Sequence, residues 1–356
     1  MSGTRVVGMA SKMKERERTV LRYVVHDFIE TATPVGSRYM CKRHEEEIGL
    51  SPASVRNVMS DLEDLGYISH PHTSAGRVPT DRGYRFYLDS LMELEQLTQR
   101  LQESIRRDLL AAGDREEMLK DSSKLLSTIS HQLCIVTSPQ LSSGTFEKLE
   151  IVPLMGNQIM VIISVKSGLV RTIMMELASE VSRDHLEDLS RFLNERLYGL
   201  TLHQIRESFS ERVKEAPTEN AGLIRLFIDS VDKIFVADRA GKLHVAGTDK
   251  IIEQPEFVSP RDLRSIIELI NDEEMIIHVL RKNETSPNEI KVSIGEENES
   301  EKLKPYSVIT SSYAVGDTKG TIGVLGPTRM PYDRMIPLVD YVAKTISELF
   351  STANPA

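Results

Sequence analysis

Apolar side chains recur every three to four residues between positions 50 and 65, a pattern that predicts an amphipathic helix. Ser51 is suited to cap the first turn, and Pro52 fits the first helical position, where its missing N–H costs nothing. Gly66 is suited to end the helix in the left-handed conformation. The predicted apolar stripe consists of Val55, Val58, Met59, Leu62 and Leu65.

The opposite face of this helix is short-chained and polar, and it carries Arg56 and Asn57. These residue types can form bidentate hydrogen bonds with guanine and adenine edges in the major groove. Phosphates would repel Asp61, Glu63 and Asp64, so we expect only the N-terminal half to enter a groove. The alternative is an ordinary surface helix. The candidate DNA-binding positions are Ser51, Ala53, Ser54, Arg56, Asn57 and Ser60.

The segment after this helix has the parts of a β-wing. Residues 67–70 predict a short strand, residues 71–77 a turn-rich loop with a basic tip, and residues 78–79 a return strand. A helix followed by such a hairpin is typical of a winged helix-turn-helix, although an ordinary surface hairpin has the same pattern. The loop supplies candidate contacts to the DNA backbone or minor groove at His72, Thr73, Ser74 and Arg77.

Two further helices precede the amphipathic helix. Residues 14–31 form the first, which a Pro-Val-Gly break at 34–36 ends. A short second helix carries Arg38, Lys42 and Arg43, which we expect to contact phosphates and to contribute affinity rather than sequence preference.

The rest of the chain alternates between strand and helix patterns. One long helix is predicted from residue 81 to about 112, four strands between 132 and 177, and helices between 182 and 236. A strand at 243–246, helix at 260–282, three strands between 289 and 325 and a final helix complete the pattern. Because either set of strands alone would leave open edges, we expect a single antiparallel sheet with helices on one face and a helical insertion.

The charge of this 356-residue chain is unevenly distributed. A net charge of −9 by itself argues against nucleic-acid binding. Residues 1–90 nevertheless contain 13 Lys and Arg against 12 Asp and Glu, whereas the remainder contains 31 against 41. A basic module on an acidic body fits DNA binding at one end, although a plain charged surface gives the same counts.

Three stretches resemble one family. Residues 51–89, which contain PHTSAGR-x-PT-x-x-GYR, closely resemble the N-terminal domain of the HrcA family, the bacterial heat-inducible transcription repressors. GTDKIIEQPEF at 247–257 and the stretch 294–350, with IGEEN and GPTRM-x-Y, resemble the same family. The resemblance covers nearly the whole chain, and its motifs are more specific than a generic helix-turn-helix.

The resemblance implies an α+β multidomain fold. Its parts are an N-terminal winged helix-turn-helix and a GAF-like antiparallel sheet domain that carries a mainly helical inserted dimerisation domain. The expected boundaries are 1–90 for the winged helix, 91–181 for the first GAF-like part with its linker helix, 182–258 for the insertion and 259–356 for the second GAF-like part.

By the same resemblance, the chain is expected to be a negative regulator of heat-shock (chaperone) operons in the bacterial cytoplasm, associated with the nucleoid. A homodimer would bind an inverted-repeat operator in double-stranded DNA, because a two-fold protein matches a two-fold site. A GroE-type chaperonin would support its activity, and heat would inactivate it. The alternative is a GAF-type regulator that responds to a small molecule, because a GAF-like fold can house a ligand.

The sequence contains no pattern that predicts catalysis, a cofactor or a metal site. At His44, the second histidine of an H-E-x-x-H zinc motif is replaced by Ile48, and the nine histidines are dispersed. Cys41 and Cys134 are far apart and suit a reducing cytoplasm. No apolar run approaches the roughly 20 residues that span a bilayer. We therefore predict a non-enzyme with no cofactor, no metal and no membrane partner.

Overall fold

The computed structural model describes residues 13–71, 76–139, 141–179, 181–215, 221–235, 243–282 and 289–352. The predicted wing residues His72, Thr73 and Ser74 lie outside these ranges. The helices are α1 (Glu15–Thr31), α2 (Ser37–Arg43), α3 (Glu45–Ile48), α4 (Pro52–Asp64), α5 (Asp81–Ser90), α6 (Gln99–Leu110), α7 (Arg115–Ser130), α8 (Arg183–Leu197), α9 (Leu202–Arg212), α10 (Ala221–Asp229), α11 (Val231–Phe235), α12 (Thr248–Ile251), α13 (Pro260–Ile270), α14 (Glu273–Lys282) and α15 (Tyr332–Thr352). The strands are β1 (Ile68–Ser69), β2 (Val78–Pro79), β3 (Leu133–Thr137), β4 (Phe146–Pro153), β5 (Gln158–Val165), β6 (Val170–Glu176), β7 (Leu243–Ala246), β8 (Ile290–Ile294), β9 (Tyr306–Val315) and β10 (Thr318–Pro327).

The N-terminal unit consists of α1 to α5 and the β1–β2 hairpin. Helix α1 packs against α2, α4 and α5. The hairpin pairs antiparallel, with Ile68 opposite Pro79 and Ser69 opposite Val78. Thr80 then accepts a hydrogen bond from the Gly83 amide and so begins α5 as predicted.

A five-stranded antiparallel sheet forms the centre of the molecule, in the order β7-β3-β10-β9-β8. Alternate side chains of β3 point to opposite faces: Cys134 and Val136 belong to one core, and Leu133 and Ile135 to another. Helix α15 covers the first face together with α7, and α13 and α14 cover the second. The prediction of helices on one face only is therefore wrong, because both faces of this sheet are apolar.

The strands β4, β5 and β6 form a separate three-stranded antiparallel sheet. One face of this sheet shares a core with α8 to α11. The prediction of a single sheet is wrong, and the open edge that motivated it is covered in another way. Asn194 of α8 accepts from the Leu149 amide at 2.7 Å and donates to the Leu149 carbonyl at 2.8 Å, and Ser190 accepts from the Ile151 amide at 3.1 Å.

The smaller sheet and its helices are inserted between two neighbouring strands of the larger sheet. Strands β3 and β7 pair antiparallel, and the last residue of β3, Thr137, lies opposite the first residue of β7, Leu243. The described residues between them form the second unit. The expected boundaries 91–181 and 182–258 do not coincide with these units, because β4–β6 pack with α8–α11 while β7 belongs to the five-stranded sheet.

The helix predicted from residue 81 to about 112 is interrupted in the structure. Helix α5 ends at Ser90 and α6 begins at Gln99. Thr98 caps the new helix by accepting from the Leu101 amide, and the intervening Glu95 amide donates to the Asp333 carbonyl at 3.0 Å. A tertiary hydrogen bond and a new N-cap thus interrupt a helix whose sequence pattern is continuous.

The N-terminal unit and the five-stranded sheet share one apolar core, which we call the shared core. It joins buried side chains of α1, α4 and α5 to those of α7, α15 and the sheet. At its edge, Arg85 of α5 donates to Glu297 at 2.7 Å and to the Val292 carbonyl at 2.8 Å. Both packing and ion pairing therefore connect the N-terminal unit to the central sheet.

Candidate nucleic-acid interface

Helix α4 separates an apolar face from a polar face, as its sequence predicts. Its first turn is capped by Ser51, whose hydroxyl accepts from the Ser54 amide at 3.2 Å. Val55, Val58, Met59 and Leu62 are buried. The six candidate positions are all exposed: Ser51, Ala53, Ser54, Arg56, Asn57 and Ser60.

The predicted stripe is one residue too long. Leu65 is 45% exposed, because it lies at the C-cap, beyond the last turn that packs on α1. Arg82 donates to its carbonyl at 2.8 Å, and the following Gly66 adopts the left-handed conformation expected of it, with φ +75°. The exposed apolar side chain thus marks the end of the helix rather than a contact surface.

The acidic half of α4 holds the hairpin in place. Glu63 pairs with Arg77 at 2.8 Å and with His70. The backbone of Arg77 also pairs with Val35, through hydrogen bonds of 2.8 and 2.9 Å. With its side chain 26% exposed, Arg77 is anchored to the N-terminal unit rather than extended into solvent.

The three basic residues of α2 have different surroundings. Arg38 and Lys42 are exposed, and neither has an ion-pair partner among the described residues. Arg43 instead pairs with Glu30 of α1 and donates to the Tyr39 hydroxyl at 2.7 Å. The Tyr39 hydrogen bond and the nearby carboxylates raise the pKa of Arg43, so this guanidinium is fixed and charged.

Sequence reasoning missed a cluster that the fold brings together beside α2. His44 lies at the junction of α2 and α3, and its Nε2 is 2.8 Å from Oδ1 of the fully buried Asp27 on α1. The neighbouring His26 places Nδ1 3.7 Å from the same oxygen. Tyr23 stacks on the His44 ring at 4.0 Å. No sequence spacing signals this set, because His44 lies 17 residues from Asp27 and outside the helix that carries the other members.

The side chains of Asp27 and His26 shift each other's pKa. Burial raises the pKa of Asp27, but the contacts with His26 and His44 and the charge of Arg43 together lower it below its ordinary value. The Asp27 carboxylate in turn raises the pKa of His26, against the opposing effect of burial. The arrangement keeps an ionised carboxylate inside the N-terminal unit.

Comparison with known proteins gives the family. Residues 116–336 match the family model described as the HrcA protein C terminal domain. The chain is 40% identical over 357 residues to the heat-inducible transcription repressor HrcA of Chlorobium phaeobacteroides strain BS1, covering 96% of this chain and 100% of that protein. The chain belongs to the HrcA family. The HrcA of Prosthecochloris aestuarii is also 40% identical, over 95% of this chain and 98% of its own length.

The architecture of this HrcA-family chain recurs in a solved structure. The crystal structure of a hypothetical protein at 2.2 Å resolution aligns with a TM-score of 0.61 and 25% identity, covering 96% of this chain and 100% of that one. The resemblance inferred from the motifs is confirmed, and so is a mixed fold of helices and antiparallel sheets. No described helix has both the length and the apolar character needed to cross a bilayer.

The HrcA signatures IGEEN and GPTRM-x-Y lie at the junction with the N-terminal unit. Arg329 is 14% exposed, donates to the Ile29 carbonyl at the end of α1 at 2.5 Å, and pairs with Glu256 at 2.6 Å. The Glu296 amide donates to Asp81 of α5 at 2.8 Å. A side chain at position 295 would collide with the Asp81 carboxylate, since a Cβ there would lie 1.8 Å from it. These signature residues connect the unit that contains α4 to the central sheet.

Proposed function

We propose that this HrcA-family chain is a heat-shock transcriptional repressor that binds double-stranded DNA through α4. The observation that carries the proposal is the face of α4, where Arg56 and Asn57 stand exposed above a fully packed stripe. Such a face can read base edges without disturbing the core beneath it. The names of the relatives supply the class of regulator.

In this proposal α2 and α4 are the two helices of a winged helix-turn-helix, and β1–β2 is the wing. Helix α2 packs against α4 and offers Arg38 and Lys42 to the DNA backbone. Arg43 and Arg77 contribute less to DNA binding than their charges suggest. Arg43 is already paired with Glu30, and Arg77 with Glu63. Positions 72–74, which follow β1 in the sequence and lie outside the described residues, remain candidates for backbone contacts.

We further propose that the chain acts as a homodimer through the β4–β6 sheet. The face of this sheet opposite its helices carries a row of apolar side chains in register, with Val152 opposite Met160 and Met160 opposite Met174. Met174 is 51% exposed and Val170 58% exposed. Burial of this face against the same face of a second copy would relate the two N-terminal units by a two-fold axis. An inverted repeat requires this symmetry.

The dimerisation domain in this proposal is the insertion between β3 and β7, residues 138–242, rather than residues 182–258. Support comes from the pairing of Thr137 with Leu243 and from the separate core of β4–β6 and α8–α11. The five-stranded sheet, formed from both sides of the insertion, is the GAF-like domain.

Heat inactivation and chaperonin dependence complete the proposal, with the protein acting in the bacterial cytoplasm. The shared core supports them, because the packing beneath α4 is continuous with α15 more than 260 residues later in the chain. Partial opening anywhere in that core would loosen the base of α4. A GroE-type chaperonin would restore chains in which the distant parts fail to assemble.

The alternative of a small-molecule sensor has weaker support. A cleft of about 490 Å³ lies beside β8 and is lined by Ser293, Asn298 and Leu303, among others. The side-chain nitrogen of Asn298 already donates to the carbonyls of Gly295, Leu303 and Tyr306. Its side-chain oxygen accepts from the Ser293 hydroxyl. These polar groups hold the loop and leave few free contacts for a ligand.

The decisive experiment is fluorescence anisotropy with the purified full chain at fixed salt. We expect tight binding to an inverted-repeat duplex from a chaperone operon promoter, weak binding to a scrambled duplex, and an increase in the bound fraction when chaperonin and ATP are supplied. Equal and weak binding to both duplexes, with or without chaperonin, would contradict the proposed function.

A further inference from the structure

The cluster of His26, Asp27 and His44 has the composition and geometry of a metal site. One ligand atom from each side chain lies within 4.8 Å of the other two. His44 Nε2 and His26 Nδ1 both point at the Asp27 carboxylate, from distances of 2.8 and 3.7 Å. In a tetrahedral zinc site with bonds of about 2.0 Å, neighbouring ligand atoms are about 3.3 Å apart. The observed separations lie on either side of that value.

Two buried atoms of the cluster lack hydrogen-bond partners among the described residues. These are Oδ2 of Asp27, on a residue with 0% exposure, and Nδ1 of His26. A buried carboxylate oxygen without a partner costs free energy, and this cost is removed when a cation occupies the position. The contact of His44 with Oδ1 leaves Oδ2 of Asp27 and Nδ1 of His26 without a partner among the described residues.

We propose that His26, Asp27 and His44 bind a divalent transition-metal ion of the zinc class. Two imidazoles and one carboxylate are a common ligand set for such ions. The side chain of His26 is 41% exposed, which gives an ion a path of entry to the three ligands. Glu30 lies 3.8 Å from the other ring nitrogen of His26 and can orient that ring, as carboxylates do behind metal-bound histidines.

Arg43 sets the affinity of this site. Its guanidinium lies 3.5 Å from Oδ1 of Asp27, so it competes with a metal ion for the same carboxylate. Arg43 has other partners in Tyr39 and Glu30, and these can hold it when the ion is bound. Removal of the Arg43 charge should therefore tighten metal binding, an effect that a purely structural role of the cluster does not predict.

The site ties α1 to the junction of α2 and α3, and only the short helix α3 separates this junction from α4 in the chain. An ion that binds only the folded form stabilises that form by mass action. Zinc would therefore raise the temperature at which the N-terminal unit unfolds, and the proposed operator reader would respond to the metal supply.

The test is a titration of the metal-free full chain with CoCl2, followed by visible absorption. We expect one equivalent of Co²⁺ to give the intense d–d bands of a tetrahedral site with nitrogen ligands, and ZnCl2 to displace it. His44→Gln should weaken binding by more than the roughly 10- to 100-fold that loss of an outer-shell partner costs. Arg43→Gln should strengthen it.

His203→Gln is the matched control, because His203 pairs with a carboxylate on the exposed surface of α9, far along the chain from the cluster. It should leave the titration unchanged. If His44→Gln fails to fold, as judged by circular dichroism, then His26→Gln provides the same test from the half-exposed side of the cluster. Absence of a stoichiometric Co²⁺ spectrum, or a spectrum that neither cluster histidine alters, would overturn the proposal.

Discussion

Arg56 and Asn57 are exposed side chains on a rigid, capped helix, so their removal should affect binding without affecting folding. We expect Arg56→Ala and Asn57→Ala each to weaken operator binding by about 1–3 kcal/mol, the usual cost of a lost bidentate base contact. Anisotropy on the inverted-repeat duplex measures the loss. Arg107→Ala is the control, because Arg107 is an equally helical arginine that is 74% exposed on α6. Unchanged affinity in both α4 variants would remove this helix from the groove.

The sequence predicts that Arg77 contacts DNA, and its ion pair with Glu63 adds a second, anchoring role. A phosphate contact predicts that Arg77→Ala weakens specific and nonspecific binding alike and flattens the salt dependence. An anchoring role predicts that Arg77→Ala and Glu63→Ala are non-additive in thermal unfolding. A double-mutant cycle read out by both binding and unfolding separates the two. Additive unfolding effects would show that the pair does not anchor the hairpin.

At the scale of elements, local sequence signals predict α4 well. Contacts between distant parts of the chain determine the break after α5, the second sheet and the cluster around Asp27. Ser51, Pro52 and Gly66 fix the ends of α4 through their own conformational preferences, so the sequence alone determines them. The break after Ser90 depends on a hydrogen bond to Asp333, and the second sheet depends on Asn194 covering the edge of β4. The cluster around Asp27 likewise pairs two helices. Such contacts have no periodicity along the chain, and periodicity is what sequence reasoning detects.

The junction of β1 and α5 allows a prediction about close packing. A Cβ on Gly83 would lie 2.1 Å from the Tyr67 carbonyl oxygen, a backbone atom that cannot move aside cheaply. Gly83→Ala should therefore destabilise the N-terminal unit by about 1–3 kcal/mol or more. Gly222→Ala is the matched control, since a Cβ there meets nothing within 4 Å and α10 should gain up to about 1 kcal/mol. Calorimetry measures the melting temperatures of both variants and of the wild type. A Gly83→Ala protein that melts at the same temperature as Gly222→Ala would refute the close contact.

At the scale of the whole molecule, the position of the insertion between β3 and β7 predicts that the five-stranded sheet survives its removal. Replacement of residues 138–242 by an Asn-Gly turn should leave a β3–β7 hairpin, because Thr137 and Leu243 already lie opposite each other. We expect the shortened protein to keep the five-stranded sheet and to sediment as a monomer. A shortened protein that remains dimeric would place the interface outside the β4–β6 sheet.

The central sheet should also lose stability at alkaline pH through Cys134. Burial raises the pKa of this thiol to about 12, whereas an unfolded cysteine ionises near 8.5. Between these values the unfolded chain gains free energy by ionising and the folded chain does not, so stability falls as pH rises. Denaturant unfolding of the wild type and Cys134→Ala from pH 7 to 10 isolates this contribution, because only the wild type should show the additional alkaline slope. Parallel pH profiles would contradict it.

The continuity of the shared core has a consequence for synthesis on the ribosome. The side chains of α5 and α7 that pack near α15 emerge more than 200 residues before α15 does. At about 5–20 residues per second, these apolar surfaces remain uncovered for roughly ten to fifty seconds in every new chain. Each molecule thus passes through a long interval in which it competes with other nascent proteins for protection from aggregation. The yield of this folded protein should therefore fall before the yields of competing nascent proteins whenever that protection is in short supply.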